Sequence, residues 1–218
     1  MLLVFSFGFF FLGRFLYKKE KGERYSLLSD FPFELFPRGK DGGAIYLRIL
    51  YGLALASSLG LPYYFAASFF SLPEGIFLLG LLSAIFLLGK GISLLFLSFL
   101  PAYYHKAHIA LDAISFSLSG ISLFISGYFL FKLNGPFHRA SFFLAIAAMV
   151  IALLIILMMC SPRFSSWVKI GKEGDEGEVK AKRPRFFLLA ASEWGLYALT
   201  LFGDVLLYLS LGFLLLDI

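Results

Sequence analysis

The chain has 218 residues, 60% hydrophobic and 15% charged, with a mean hydropathy of +0.86. A soluble domain carries about 25% charged residues, so one water-facing fold is excluded and the bilayer is the expected solvent. The net charge of +5 does not point to nucleic acid, because the basic residues sit in short blocks between apolar runs.

The expected fold class is all-α, a multi-pass transmembrane helical bundle of five to six spans. A spanning helix needs roughly 20 mostly apolar residues. Residues 1–17 hold a shorter apolar segment that contains Arg14. It has no basic start and no small-x-small cleavage site, so it reads as a short membrane helix rather than a signal peptide. An interfacial segment is the alternative. Residues 18–43, "KKEKGERYSLLSDFPFELFPRGKDGG", are polar and turn-rich and form a loop, with a short interfacial helix at "LLSDFPFELF". Residues 44–160 form a four-span membrane core, with apolar runs at 44–70, 76–100, 107–131 and 140–160. Residues 161–185 are a second hydrophilic loop, and residues 186–218 carry the final span. The single cysteine, Cys160, excludes an internal disulfide and reads as a buried thiol.

Loop charge predicts orientation. If every run spans, the loops 18–43, 101–107 and 161–185 share one side with fifteen Lys and Arg residues, Arg48 included. The other side holds Lys132 and Arg139 alone. That bias makes the basic side cytoplasmic and turns both chain ends to the lumen or exterior.

Ionisable residues within spans are costly in hydrocarbon and face the protein interior by default. The candidates are Lys90, Asp112, Glu193 and Asp204. Glu193, Tyr197, Thr200, Asp204 and Tyr208 are spaced 4, 3, 4 and 4, so they share one helix face. That stripe is either a headgroup or ion pocket, or an interhelical hydrogen-bonding seam. Lys90 needs a carboxylate, for which Asp112 and Glu193 are candidates. Glu193 and Asp204 in turn need Lys90 or a tyrosine hydroxyl for at least one of them. Gly89 and Gly91 beside Lys90 allow a close helix approach or a kink.

The stretch "YYHKAHIALD" places His105, His108 and Asp112 at i, i+3 and i+7, on one side of a helix. Such a set could hold a metal. A hydrated helix end is the simpler reading, because the histidines fall at the membrane boundary and Asp112 suits a positive helix start. Further ligands are lacking, since His138 belongs to the opposite side, so no metal and no cofactor are expected. No phosphate loop, nucleophile elbow or zinc-protease motif occurs, and no catalytic residues are expected.

Three stretches carry a family resemblance. "LPYYFAASFFSLPEGIF" (61–77) places Pro73 and Glu74 before a new span. "GPFHRASFFLAIAAMVIALLI" (135–155) places a proline and His138 at the opening of another. "SEWGLYALTLFGD" (192–204) places Glu193 and Trp194 near the start of the last. In order and spacing these resemble the damage-regulated autophagy modulator family and its relatives, the FGF receptor-activating protein and the Golgi proteins of GPI-anchor lipid remodelling. That family has a further span where 161–185 is too short and polar to form one. Its first lumenal loop is acidic, whereas Tyr63 to Ser71 is apolar here.

The resemblance implies a non-enzymatic endomembrane protein of lysosome or Golgi rather than plasma membrane. It would modulate autophagy, lysosomal function or lipid handling through membrane lipids and partner membrane proteins. The alternatives are an intramembrane lipid hydrolase using His105, His108 and Asp112 with a metal, and a small-solute or ion transporter with Lys90, Glu193 and Asp204 along its path. The topology is testable directly. Lys172→Cys should be labelled by an impermeant thiol reagent from the cytoplasmic face, and labelling from the lumenal face alone would refute the orientation.

Overall fold

The computed structural model describes residues 11–15, 26–28, 30, 49, 52, 61–62, 64–65, 72–100, 105–133, 139–161 and 188–216. Among them the architecture is all-helical. Four long helices dominate: α1 (Glu74–Phe99), α2 (His105–Leu133), α3 (Arg139–Met159) and α4 (Leu188–Leu215). Each contains a stretch long and apolar enough to cross a membrane, at 74–97, 107–133, 140–159 and 190–215. The protein is therefore an integral membrane protein. Five to six spans are expected from sequence, and the described residues carry four. The runs at 2–17 and 44–70 fall largely outside the described residues. Of these, 11–15, 49, 52, 61–62 and 64–65 are helical. The loops 18–43 and 161–185 lie mostly outside them as well, as does His138.

The ends of α1 follow from its flanking prolines. Pro73 lacks an N–H that a helix start would leave unpaired anyway, and its carbonyl accepts from the N–H groups of Ile76 and Phe77 at 2.9 Å. Glu74 puts a negative charge at the positive end. At the far end Leu100 turns extended, with ψ 126°, as a residue before proline must. Pro101 thus stops the helix. Lys132 marks the end of α2, its ammonium 5.4 Å from the centre of the Tyr128 ring, an exposed cation anchored on an aromatic face.

The connections from α1 to α2 and from α2 to α3 are short, which makes sequential neighbours antiparallel. Contacts fix the rest. Asp112 meets Tyr197 near the starts of α2 and α4, and Leu123 meets Gly203 further along both, so these two helices are parallel. Ser141 at the start of α3 meets Ser210 near the end of α4, and Met158 lies beside Gly195, so these two are antiparallel. The starts of α2 and α4 therefore share one end of the bundle. α2 packs against all three neighbours and α3 packs along α4, whereas α1 and α4 have no comparable backbone packing.

The solvent pattern is inverted. Cys160 is exposed at the end of α3, which corrects the expectation of a buried thiol. Among the described residues Phe96, Phe143, Phe202 and Leu157 are exposed, while Lys90, Asp112, Glu193, Asp204 and eight serines are buried. In water this would be unstable. In hydrocarbon the outer apolar faces meet lipid and the polar groups must partner inside.

Lipid chains are as apolar as leucine, so helix association depends on close packing by small residues. A Cβ on Gly120 would come within 2.9 Å of Ile156 and 3.3 Å of Ile155. One on Gly127 would meet Met149 at 2.8 Å and the Ala145 carbonyl at 3.0 Å. Ala145, Ala148 and Ala152 on α3 are fully buried along this seam. A Cβ on Gly203 of α4 would come within 2.6 Å of Leu123. The expected close approach beside Lys90 is not found at Gly89, where a Cβ would make only ordinary contact with Leu118 at 3.7 Å. The constraint lies instead where α2 meets α3 and α4. Gly127→Val should accordingly destabilise the protein by about 1–3 kcal/mol through overpacking. Gly212→Ala, whose Cβ would meet nothing within 4 Å, should be neutral. Thermal melting in detergent separates the two.

Candidate functional site

The α4 stripe turns inward. Glu193, Tyr197, Thr200 and Asp204 are all buried, and Tyr208 is partly so. A matching stripe lies on α2, where His108, Asp112, Ser115, Ser119, Ser122 and Ser126 are spaced 4, 3, 4, 3 and 4 and are buried throughout. At about 100° per residue this face falls between Leu118, which meets α1, and Leu123, which meets Gly203 of α4. It therefore looks into the space between α1 and α4. Lys90 and Ser93 enter the same space from α1 and are buried as well.

Two polar centres occupy this column. In the deeper one the Lys90 Nζ donates to Asp204 Oδ1 at 2.5 Å, with both side chains shielded completely. Lys90 is thus paired with Asp204, and neither Asp112 nor Glu193 is its partner. The reason is side-chain direction. A long helical side chain leans toward its own N-terminus, and α1 runs opposite to α2, so the ammonium is carried toward the far ends of α2 and α4. Asp204 lies there. Glu193, about 16 Å back along α4, does not. Tyr208, one turn beyond Asp204, adjoins its charge. Ser93 donates to the Lys90 carbonyl at 2.8 Å.

The second centre lies near the starts of α2 and α4. The Asp112 carboxyl adjoins that of Glu193, and the Tyr197 hydroxyl donates to Asp112 Oδ1 at 3.4 Å. The Tyr197 ring is held edge-on by Phe116, with centroids 4.9 Å apart. His108, one turn before Asp112, is 1% exposed. This corrects the expectation of a hydrated helix end. α2 begins at His105, so His108 already faces the bundle, and Asp112 lies beyond the first turn where the helix dipole acts. Among the described residues no group of three or more His, Cys, Asp or Glu is placed to hold a metal ion. The His105 side chain lies outside the described residues.

Trp194 covers this end. Its indole donates to the Asp30 carbonyl at 3.1 Å. Asp30 belongs to a compact turn, where the Ser26 N–H donates to its Oδ2 at 2.7 Å and its own N–H donates to the Ser26 carbonyl at 2.8 Å. Part of the 18–43 segment thus docks at the end where α4 begins. The family-like residues do not converge. Pro73 and Glu74 are exposed at the start of α1, at the opposite end from Glu193 and Trp194.

Between the two centres run hydroxyls. Ser119 donates to the Ser115 carbonyl at 2.7 Å and Ser122 to the Ser119 carbonyl at 3.0 Å. Ser115 Oγ, Ser126 Oγ and Thr200 Oγ1 are buried and have no hydrogen-bond partner among the described residues, nor do Asp112 Oδ2 and Asp204 Oδ2. The α2 serines escaped the sequence reading because serine is mild in hydropathy. Extending the spacing of His108 and Asp112 along α2 would have found them.

Comparison with protein families, curated proteins and solved structures finds no match for this chain.

Breaking the deeper centre has a predictable signature. Removing one member of a buried ion pair strands the other, which costs about 3–5 kcal/mol, whereas replacing both by apolar residues is often near neutral. Lys90→Met and Asp204→Leu should each lower the melting temperature in detergent sharply, and the double variant should recover most of the loss. Asp204→Leu should also disturb folding more than Glu193→Gln, because the Gln amide keeps polar atoms in place.

Proposed function

We propose that this is a non-enzymatic membrane protein that passes a small cation, proton included, along the polar column between α1, α2 and α4. The observation that carries the reading is the column itself. Seven ionisable or hydroxyl-bearing positions on α2 and α4 (Asp112, Ser115, Ser119, Glu193, Tyr197, Thr200 and Asp204) are buried in a bundle whose outside is apolar. Packing alone does not require this chemistry. A serine or threonine seam hydrogen-bonds helices together, but ionisable residues within spans are the marks of ion and proton pathways.

Of the three functional readings open from sequence, transport is the one whose named residues, Lys90, Glu193 and Asp204, are buried together in the interior. The lipid-hydrolase reading needs a metal on His105, His108 and Asp112, whereas Asp112 is engaged by Glu193 and Tyr197. An acidified endomembrane compartment such as lysosome or Golgi suits the proposal, because it supplies a proton gradient.

The test is flux. Purified protein in lipid vesicles should dissipate an imposed proton, sodium or potassium gradient at least about tenfold faster than empty vesicles. The Lys90→Met, Asp204→Leu double variant should remain folded and lose that flux. Rates equal to empty vesicles for all three ions would overturn the proposal.

A further inference from the structure

We propose that the Lys90–Asp204 centre is a water-binding site within the membrane, with water held between the ammonium, the second carboxylate oxygen and the Thr200 hydroxyl. The site stands on hydrogen-bond geometry and does not depend on the transport reading.

The argument begins with donors and acceptors. An ammonium carries three donors, and a carboxylate has room for about four hydrogen bonds on its two oxygens. The Lys90 Nζ donates to Asp204 Oδ1, and among the described residues no second acceptor takes its remaining hydrogens. Asp204 Oδ2 is buried without a hydrogen-bond partner, and so are Thr200 Oγ1 and Ser126 Oγ. Both charged side chains are fully shielded, so solvent outside the bundle does not reach these atoms. Buried polar groups left open in this way are costly, most of all on charged side chains.

The open groups lie together. Thr200 and Asp204 are one turn apart on the same face of α4, which puts their Cβ atoms about 5–6 Å from each other. Two hydrogen bonds of about 2.8 Å span such a gap through one water. The Lys90 ammonium touches the same carboxylate. One water there accepts from Nζ and donates to Asp204 Oδ2 and Thr200 Oγ1. That makes three hydrogen bonds, about the usual number for a buried water. Leu123 of α2 meets Gly203 of α4, so Ser126, nearly a turn further along the parallel helix, lies close to the depth of this centre. It shares its face with Ser119 and Ser122 and offers a donor and an acceptor to a further water.

Charge selects the occupant. A metal cation at this point would sit beside the Lys90 ammonium in a low dielectric, and an anion would face the Asp204 carboxylate. The open groups include donors and acceptors, so they suit a small neutral molecule that both gives and takes hydrogen bonds. Cavities that stay empty are apolar, whereas polar ones of this kind hold water. Under the transport reading the passenger is then a proton, which water and hydroxyls relay by accepting one proton and releasing another.

The experiment uses the full chain in lipid bilayers, with nitrogen-15 in its lysines and alanines, and solid-state NMR that passes polarisation from water protons to the protein. The Lys90 ammonium is the lysine signal missing from the Lys90→Met, Asp204→Leu double variant. In the wild type it should build up from water at least about threefold faster than the amides of Ala145, Ala148 and Ala152, which are fully buried in the α2–α3 seam. Build-up no faster than those amides would overturn the proposal, and this comparison needs no destabilised variant. Thr200→Val keeps nearly the same shape and removes the hydroxyl, so it should lose at least about half of the transfer to Lys90. Unchanged transfer in that variant would overturn the bridge to Thr200. Water transfer to Lys90 without vesicle flux would keep the site and refute transport. Flux without water transfer would keep transport and refute the site.

Discussion

The Lys90–Asp204 ion pair is the interaction on which the interior arrangement turns. Neither charge can reach water, and an isolated charge in hydrocarbon is costly enough to unfold or neutralise its carrier. α1 and α4 do not pack extensively against each other, so the pair is a bridge across the bundle rather than a detail of a packed seam. Among the described residues α1 packs chiefly on α2, and the long lysine stem reaches across to Asp204 of α4.

The face of α2 that looks toward that bridge carries serines rather than leucines. Ser119 and Ser122 tie their hydroxyls to their own helix, so they add polarity without demanding a partner elsewhere. Around the corner of the same helix, Gly120 and Gly127 draw α3 in close. One helix thus has a tight side against α3 and a polar side, separated by about a third of a turn. Ser141 and Ser210 close the far end of α4 by hydrogen bonding across to each other.

Spans and their interior residues were legible in the sequence because hydrocarbon imposes a simple rule. The runs predicted at 76–100, 107–131, 140–160 and 186–218 correspond to α1 to α4 within two or three residues, and Pro73 and Pro101 mark ends that stereochemistry dictates. Pairing was less legible. Nothing in the spacing of Lys90 says that its ammonium reaches Asp204, since that depends on the antiparallel course of α1 and the lean of its side chain. His108 was misread for a related reason. Depth was judged from the edge of an apolar run, but the helix starts at His105 and its His108 face turns into the bundle. The glycines beside Lys90 drew attention through a local pattern, whereas close approach is a property of two helices at once and emerged at Gly120, Gly127 and Gly203.

Burial of Glu193 is the remaining feature to account for. It stands only five residues into α4, where a carboxyl would ordinarily reach water by bending outward. Three features prevent that. Asp112, itself held by the Tyr197 hydroxyl, draws it inward on one side. Trp194 places a large indole next to it, with a ring centre 6.1 Å from that of Tyr197. The turn closed by Ser26 and Asp30 is then fixed over this end by the Trp194 hydrogen bond. The dryness of the acidic centre therefore depends on a segment remote in sequence. The indole donates to a backbone carbonyl rather than to the Asp30 carboxylate, so the contact depends on the fold of the turn and not on its charge.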